Sequence, residues 1–159
     1  MTRRIEPLTQ EHLEECAGVL VAAFNAEPWN DRWTRETARE ELAWTLRVPG
    51  YAGLVCVDEG VLALATGYRE PDDVRDVFYL KTFCVRPDAQ GTGVGSELLE
   101  SLREYLSAMG VNTIYLLTSR GTPAERLYSR HGYASKPEDI VMTLDWRGQR
   151  DQVPEEGSP

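Results

Sequence analysis

Apolar residues fall at Leu13, Ala17, Leu20, Val21 and Phe24, a helical spacing that predicts an amphipathic helix from Gln10 to Asn25. Thr9 stands where an N-cap belongs, Glu11 sits in the first turn, and Pro28 ends the run. A polar and aromatic loop, Ala26 to Trp33, precedes a second helix that Thr34 caps and that stops before Pro49-Gly50. The period then shortens. Arg3–Leu8, Tyr51–Val57 and Val61–Tyr68 read as strands, the last two joined by a tight turn at Asp58-Glu59-Gly60. Arg69–Arg75 is a charged turn, and Asp76–Val85 is a long aromatic and β-branched strand. Leu98, Leu99, Leu102, Tyr105, Leu106 and Met109 form the stripe of a third helix, about Val94 to Met109, which Gly110 ends. Thr113–Thr118 predicts another strand. Pro123 opens a fourth helix that closes near His131-Gly132, and Tyr133 and Ile140–Leu144 supply the last strands.

This order predicts a mixed α/β domain over residues 1–146, with a Gly-, Pro- and charge-rich tail at 147–159 expected to fray. The helix between Val85 and Thr113 is a crossover joining parallel strands. No apolar run approaches the roughly 18 residues of a membrane span, and no apolar segment follows the basic N-terminal residues, so cytoplasmic residence without membrane association is the expectation. The 159 residues carry a formal net charge of -9, which disfavours nucleic-acid binding. Cys16, Cys56 and Cys84 are isolated within apolar segments. They read as buried thiols, with no metal site expected.

Between the long strand and the third helix lies VRPDAQGTGVGSELLESL, Val85 to Leu102. Glycine at every second position weakens a first helical turn, so the backbone there serves another need. The stretch lacks the lysine and hydroxyl of a P-loop, and its GxGxG spacing departs from the dinucleotide fingerprint. What remains is Q-x-x-G-x-G at Gln90, Gly93 and Gly95. Free amides at a helix start can cradle a pyrophosphate without a basic side chain. A glycine turn packing helix against strand fits the same residues.

Together, FCV, RPDAQGTGVGSELL, TIYLLT and PAERLYSRHGY resemble the GNAT superfamily of acyl-CoA-dependent N-acyltransferases. Ala124, Leu127, Tyr128, Gly132 and Tyr133 match the spacing of that family's A-x-x-LY-x-x-x-GY element. The resemblance implies a mostly antiparallel central sheet, with parallel fourth and fifth strands that splay apart, often at a bulge, and about four flanking helices. It implies acetyl-CoA as donor, with Phe83, Cys84 and Val85 pairing with pantetheine and polarising the thioester carbonyl. Gln90, Gly91, Thr92, Gly93, Val94, Gly95 and Ser96 would hold the pyrophosphate, and Arg86, Arg120 and Arg126 are candidates for the adenosine phosphate. Tyr128 would be the acid for the departing thiolate.

Two positions depart from the family pattern. The usual acidic residue on the fourth strand is Thr82, and the usual asparagine before the fourth helix is Gly121. The base is therefore unassigned, with Glu27, Glu70, Asp76 or a backbone-held water as substitutes. Neutralising a lysine-like amine at pH 7 costs roughly 4 to 5 kcal/mol, so a base is useful. Glu27, Trp29 and Trp33 combine carboxylate with indole faces and form the expected lining for a cationic acceptor. The expected reaction is acetyl transfer to the primary amine of a small cationic molecule or peptide, by a monomer or homodimer. A non-catalytic acyl-CoA-sensing or protein-interaction module of the same fold is the alternative.

Overall fold

The computed structural model describes residues 2–146, so the 147–159 tail lies outside the described residues. Five strands form one sheet in chain order: β1 (Arg4–Pro7), β2 (Tyr51–Val57), β3 (Val61–Glu70), β4 (Val77–Val85) and β5 (Ile114–Tyr115). All neighbours are antiparallel except β4 and β5, which run parallel. The helices are α1 (Leu13–Phe24), α2 (Arg35–Leu46), α3 (Val94–Ser107) and α4 (Pro123–Arg130). This is the expected mixed α/β sheet with parallel fourth and fifth strands.

Burial on both sheet faces accounts for the two layers. Leu98, Leu99, Leu102 and Leu106 of α3 meet Leu54, Phe78 and Leu80 on one face. Cys16, Ala17 and Leu20 of α1 meet Ala38 and Leu42 of α2 and Val55, Leu64 and Cys84 on the other. The leucine, valine and phenylalanine side chains among these stabilise by about 1.5–3 kcal/mol each when withdrawn from water. Thr34 caps α2 by accepting from the Thr37 amide at 3.0 Å, and Thr122 caps α4 by accepting from Glu125 at 3.2 Å.

One irregularity in β4 decides which face each of its later side chains presents. Thr66 pairs with Thr82 but Gly67 pairs with Leu80, so Lys81 stands opposite no β3 residue. An extra residue of this kind interrupts the strict alternation of faces. Phe78 and Leu80 point to the α3 layer before the bulge, as Phe83 and Val85 do after it. Lys81 and Thr82, though adjacent, both reach Glu41 of α2.

Several expectations need correction. The first helix begins with a 3-10 turn over Gln10–His12, and Arg69 and Glu70 belong to β3 rather than to the charged turn. The strand expected over Thr113–Thr118 is reduced to Ile114–Tyr115, because β5 leaves β4 after pairing Phe78 with Ile114 and Tyr79 with Tyr115. The last strands do not form among the described residues. Gly132 takes a left-handed φ of 86°, the Tyr133 amide donates back to the Tyr128 carbonyl at 3.1 Å, and Ile140, Val141, Met142 and Leu144 lie exposed. A β-branched, apolar run gives a segment the capacity to be a strand, but the ladder also needs an edge in register.

Gly67 fills the position where β3 meets the bulge. A Cβ there would drive into the Tyr79 carbonyl oxygen and lie 2.8 Å from Phe78 Cζ. Gly67→Ala is expected to lower the unfolding free energy by about 1–3 kcal/mol, measured as a reduced urea midpoint at unchanged slope.

Candidate active site

The parting of β4 from β5 creates the gap in which a site can form. Beyond Tyr79, β4 has no ladder partner on its β5 side among the described residues, so backbone groups from Leu80 to Val85 border the opening. Phe83 and Val85 turn their side chains to the α3 and α4 side. Cys84 turns the opposite way, into the α1 core, where burial pushes its thiol far above the ordinary range. The Cys84 side chain is thus unsuited to nucleophilic chemistry. Only its backbone borders the gap.

The glycine segment lies at the end of β4, and its glycines answer two different demands. Gly91 and Gly93 have φ of 76° and 86°, a region that side-chain-bearing residues enter only with strain. Gly95 has no such φ. A Cβ there would stand 3.2 Å from Leu127 Cδ2 and 3.4 Å from Val85 Cγ2, so its role is the close approach of α3 to α4 and β4. Left-handed turns and close packing therefore fall at different glycines of the segment. Among the described residues, the amides from Gly91 to Ser96 donate to no backbone carbonyl or capping side chain. These free N–H groups gather at the positive end of the α3 dipole.

Side chains fix the segment from outside. Gln90 Nε2 donates to the Val85 carbonyl at 3.1 Å, the Thr92 hydroxyl donates to the Ala89 carbonyl, and Val94 is buried. Arg3 donates to the Thr92 carbonyl at 3.2 Å and pairs with Glu97 at 3.3 Å, bringing a cation beside the loop that linear spacing does not reveal. His131, at the C-cap of α4, hydrogen-bonds Ser96 through Nε2 at 2.9 Å. Arg86 is engaged by Asp88 at 2.6 Å and the Val61 carbonyl at 3.3 Å, whereas Arg120 and Arg126 are exposed.

Tyr128 projects from α4 onto β4. Its ring meets Phe83 edge-on at 5.8 Å and Tyr133 at 5.5 Å, and the residue is 8% exposed. Burial pushes its phenol above the ordinary value of 10.0, with Tyr133 and Cys84 adding in the same direction. The hydroxyl therefore stays protonated through neutral pH and can donate.

On the opposite face of β4, α2 supplies a carboxylate where the strand lacks one. Glu41 pairs with Lys81 and lies 3.4 Å from the Thr82 hydroxyl through each of its oxygens. Its side chain is 16% exposed. Thr37, Glu40, Glu41 and Trp44 share one face of α2 and, with Lys81, line an open trough of about 410 Å³. The Lys81 ammonium sits 5.7 Å from the centre of the Trp44 ring. Glu41, Trp44 and Lys81 escaped sequence reasoning, since the bulge is what brings them together. The one available signal was the shared spacing of Thr37, Glu41 and Trp44 on a helix otherwise exposed on that side.

The residues expected to line an acceptor site, Glu27, Trp29 and Trp33, lie apart from this trough. Trp29 packs edge-on against Phe24 at 5.9 Å. Trp33 is held by Asn25, which donates to its carbonyl and accepts from its amide, both at 2.9 Å, and its indole donates to Asp31 at 3.1 Å. These contacts pin the loop to α1. Glu27 is exposed, and none of the three lines the trough. Among the proposed substitute bases, Glu70 accepts from the Tyr115 hydroxyl and Asp76 lies before β4. Among the described residues, no His, Cys, Asp and Glu group gathers to hold a metal, and no helix is long and apolar enough to cross a membrane.

Similarity to known proteins agrees with this geometry. The family model described as Acetyltransferase (GNAT) family matches residues 18–133. No curated protein sequence matches the chain. The solved aminoglycoside N-acetyltransferase AAC(6')-Iy in complex with CoA is 16% identical at a TM-score of 0.73, covering 91% of this chain and 95% of that one. The same enzyme with a bisubstrate analogue, CoA-S-monomethyl-acetylneamine, is 18% identical at 0.69, covering 91% and 99%. A transcriptional regulator from Bacillus halodurans C-125 is 18% identical at 0.73, covering 90% and 100%. These structures share the fold, and the family match over most of the chain, with its parted β4 and β5 and glycine-opened α3, makes this protein a member of the GNAT acetyltransferase family, whose acyl donor is acetyl-CoA.

Proposed function

We propose that the protein transfers an acetyl group from acetyl-CoA to the primary amine of a small cationic molecule. The observation that carries this reading is the gap between β4 and β5, flanked by the free amides of Gly91–Ser96 at one end and by Tyr128 at the side. Those amides receive the diphosphate of coenzyme A, and Gly93, as the left-handed N-cap of α3, aims them. The backbone of Phe83–Val85 pairs with the amide groups of pantetheine. One of its N–H groups polarises the thioester carbonyl and stabilises the oxyanion that forms as the amine attacks.

Tyr128 protonates or hydrogen-bonds the departing thiolate. Its phenol is the weaker acid, with reference values near 10 against about 8.5 for a thiol, and burial raises it further. Hydrogen-bond stabilisation of the sulfur is thus its main contribution, with the thiol's proton finally supplied from the amine through solvent. The solved neighbour that carries CoA-S-monomethyl-acetylneamine supports a cationic amine as the acceptor class.

Thiol release from acetyl-CoA, measured with neamine, spermidine and a lysine-containing peptide as acceptors, tests the reading. Turnover with at least one amine is expected, and CoA binding without turnover on any cationic amine would defeat it. Tyr128→Phe is expected to lower kcat about 10²-fold while KM for acetyl-CoA changes less than about threefold.

Gly93→Ala forces a side chain into the left-handed region, at a cost of roughly 1–2 kcal/mol. CoA affinity by calorimetry should weaken about tenfold.

Because its folded pKa is raised, Tyr128 contributes stability that is complete below the unfolded value of about 10 and is lost as pH climbs beyond it. Denaturant titrations above about pH 10 should show wild type losing stability more steeply than Tyr128→Phe.

A further inference from the structure

The acidic residue that the fourth strand lacks is supplied from another element. Glu41 of α2 reaches over the bulge to both Lys81 and Thr82. Lys81 engages Oε1 alone, leaving Oε2 with a 3.4 Å contact to the Thr82 hydroxyl. Thr66 adds a second hydroxyl behind Thr82 on the same sheet face. It is the direct cross-strand partner of Thr82, is fully buried, and its hydroxyl has no hydrogen-bond partner in the protein. Register partners share a sheet face, so the Thr66 hydroxyl lies on the side from which Glu41 approaches. A buried hydroxyl without a partner costs about 1–3 kcal/mol unless a water or ligand satisfies it.

We propose that Glu41 is the base that accepts the proton of the acceptor ammonium, and that the trough bounded by Glu40, Glu41 and Trp44 is where this acceptor docks as a cation. The proposal rests on the acetyltransferase reading above. Glu40 and Trp44 supply a second carboxylate and an exposed indole to this open trough, which Lys81 bounds from the β4 side at 5.7 Å from the Trp44 ring centre. Thr82 precedes Phe83 directly, so Glu41 and Tyr128 address neighbouring residues of β4 from opposite faces.

The step balances without any further reactant. The ammonium gives one proton to the Glu41 carboxylate, and its freed lone pair forms the N–C bond at the thioester carbonyl. Collapse of the oxyanion breaks the C–S bond and releases the thiolate beside Tyr128. The second proton of the attacking nitrogen leaves to solvent, which finally protonates the sulfur. The Glu41 side chain, 16% exposed, returns its proton to solvent directly.

The test is kcat/KM of Glu41→Gln for neamine and spermidine between pH 6 and about 10.4, the pKa of a free amine, with CoA affinity and thermal melting measured on the same samples. At pH 7 only about one amine in 2,500 is neutral, so the base matters most there. The expected result is a loss of about 10²–10⁴-fold at pH 7 that narrows steadily toward pH 10, with CoA affinity unchanged. Glu41→Asp, which keeps the charge if Gln disturbs the Lys81 contact, should retain more activity than Gln and show the same narrowing. A loss below about threefold, or one independent of pH in both variants, overturns the role of Glu41 while wild-type turnover upholds the acetyltransferase reading. Absence of wild-type turnover with neamine, spermidine and the lysine-containing peptide alike would overturn both.

Discussion

Where β3 and β4 lose register between Thr66 and Gly67, Lys81 stands opposite nothing, and the functional geometry grows from that one extra residue. Without it, strict alternation would place Phe83 on the face of Lys81 and Thr82 on the face of Leu80. With it, Lys81 and Thr82 both meet α2, while Phe83 and Val85 stay with the α3 layer. Close by, β5 leaves β4 after Tyr79. The free backbone edge and the two distinct side-chain faces are therefore set within a few residues of each other. Gly67 allows the strands to approach at this point, since its Cβ would collide with the Tyr79 carbonyl.

The proposed donor site is built from backbone amides and so is compatible with an acidic chain. A chain with net charge -9 repels a polyanion at long range, yet that repulsion is screened beyond about 8–10 Å in physiological salt. In the proposed donor site the local potential comes from the Gly91–Ser96 amides, while the Arg3 guanidinium is shared between the Thr92 carbonyl and the Glu97 carboxylate. Oriented backbone dipoles need no titratable cation, so the overall acidity is free to serve other ends. The trough bounded by Glu40, Glu41 and Trp44 is one place where it suits a positively charged molecule.

Much of this architecture was legible in the chain. The 3.6-residue stripes of the helices, the Asp58-Glu59-Gly60 turn, the Thr34 cap and the proline that opens α4 are local, and local chemistry decides them. The glycines of Gln90–Ser96 and the A-x-x-LY-x-x-x-GY spacing pointed to the family that the comparison then established. The Ile140–Leu144 segment shows the boundary of that method. Its apolar, β-branched run suits a strand as that of Tyr51–Val57 does, but pairing depends on an edge elsewhere, and among the described residues these side chains are exposed.

The sequence by itself determined the periodicities, the caps, the left-handed turns at Gly91 and Gly93 and the placing of Tyr128 on a helix after a proline. Each depends on residues within a turn or two of one another. Only the tertiary structure decided that Trp29 and Trp33 anchor their loop, that Cys84 faces the core, and that a glutamate some 40 positions away reaches Thr82. Those outcomes hinge on which face of β4 each residue presents. A bulge reverses that choice by a register difference between two strands, which neither strand's own sequence displays.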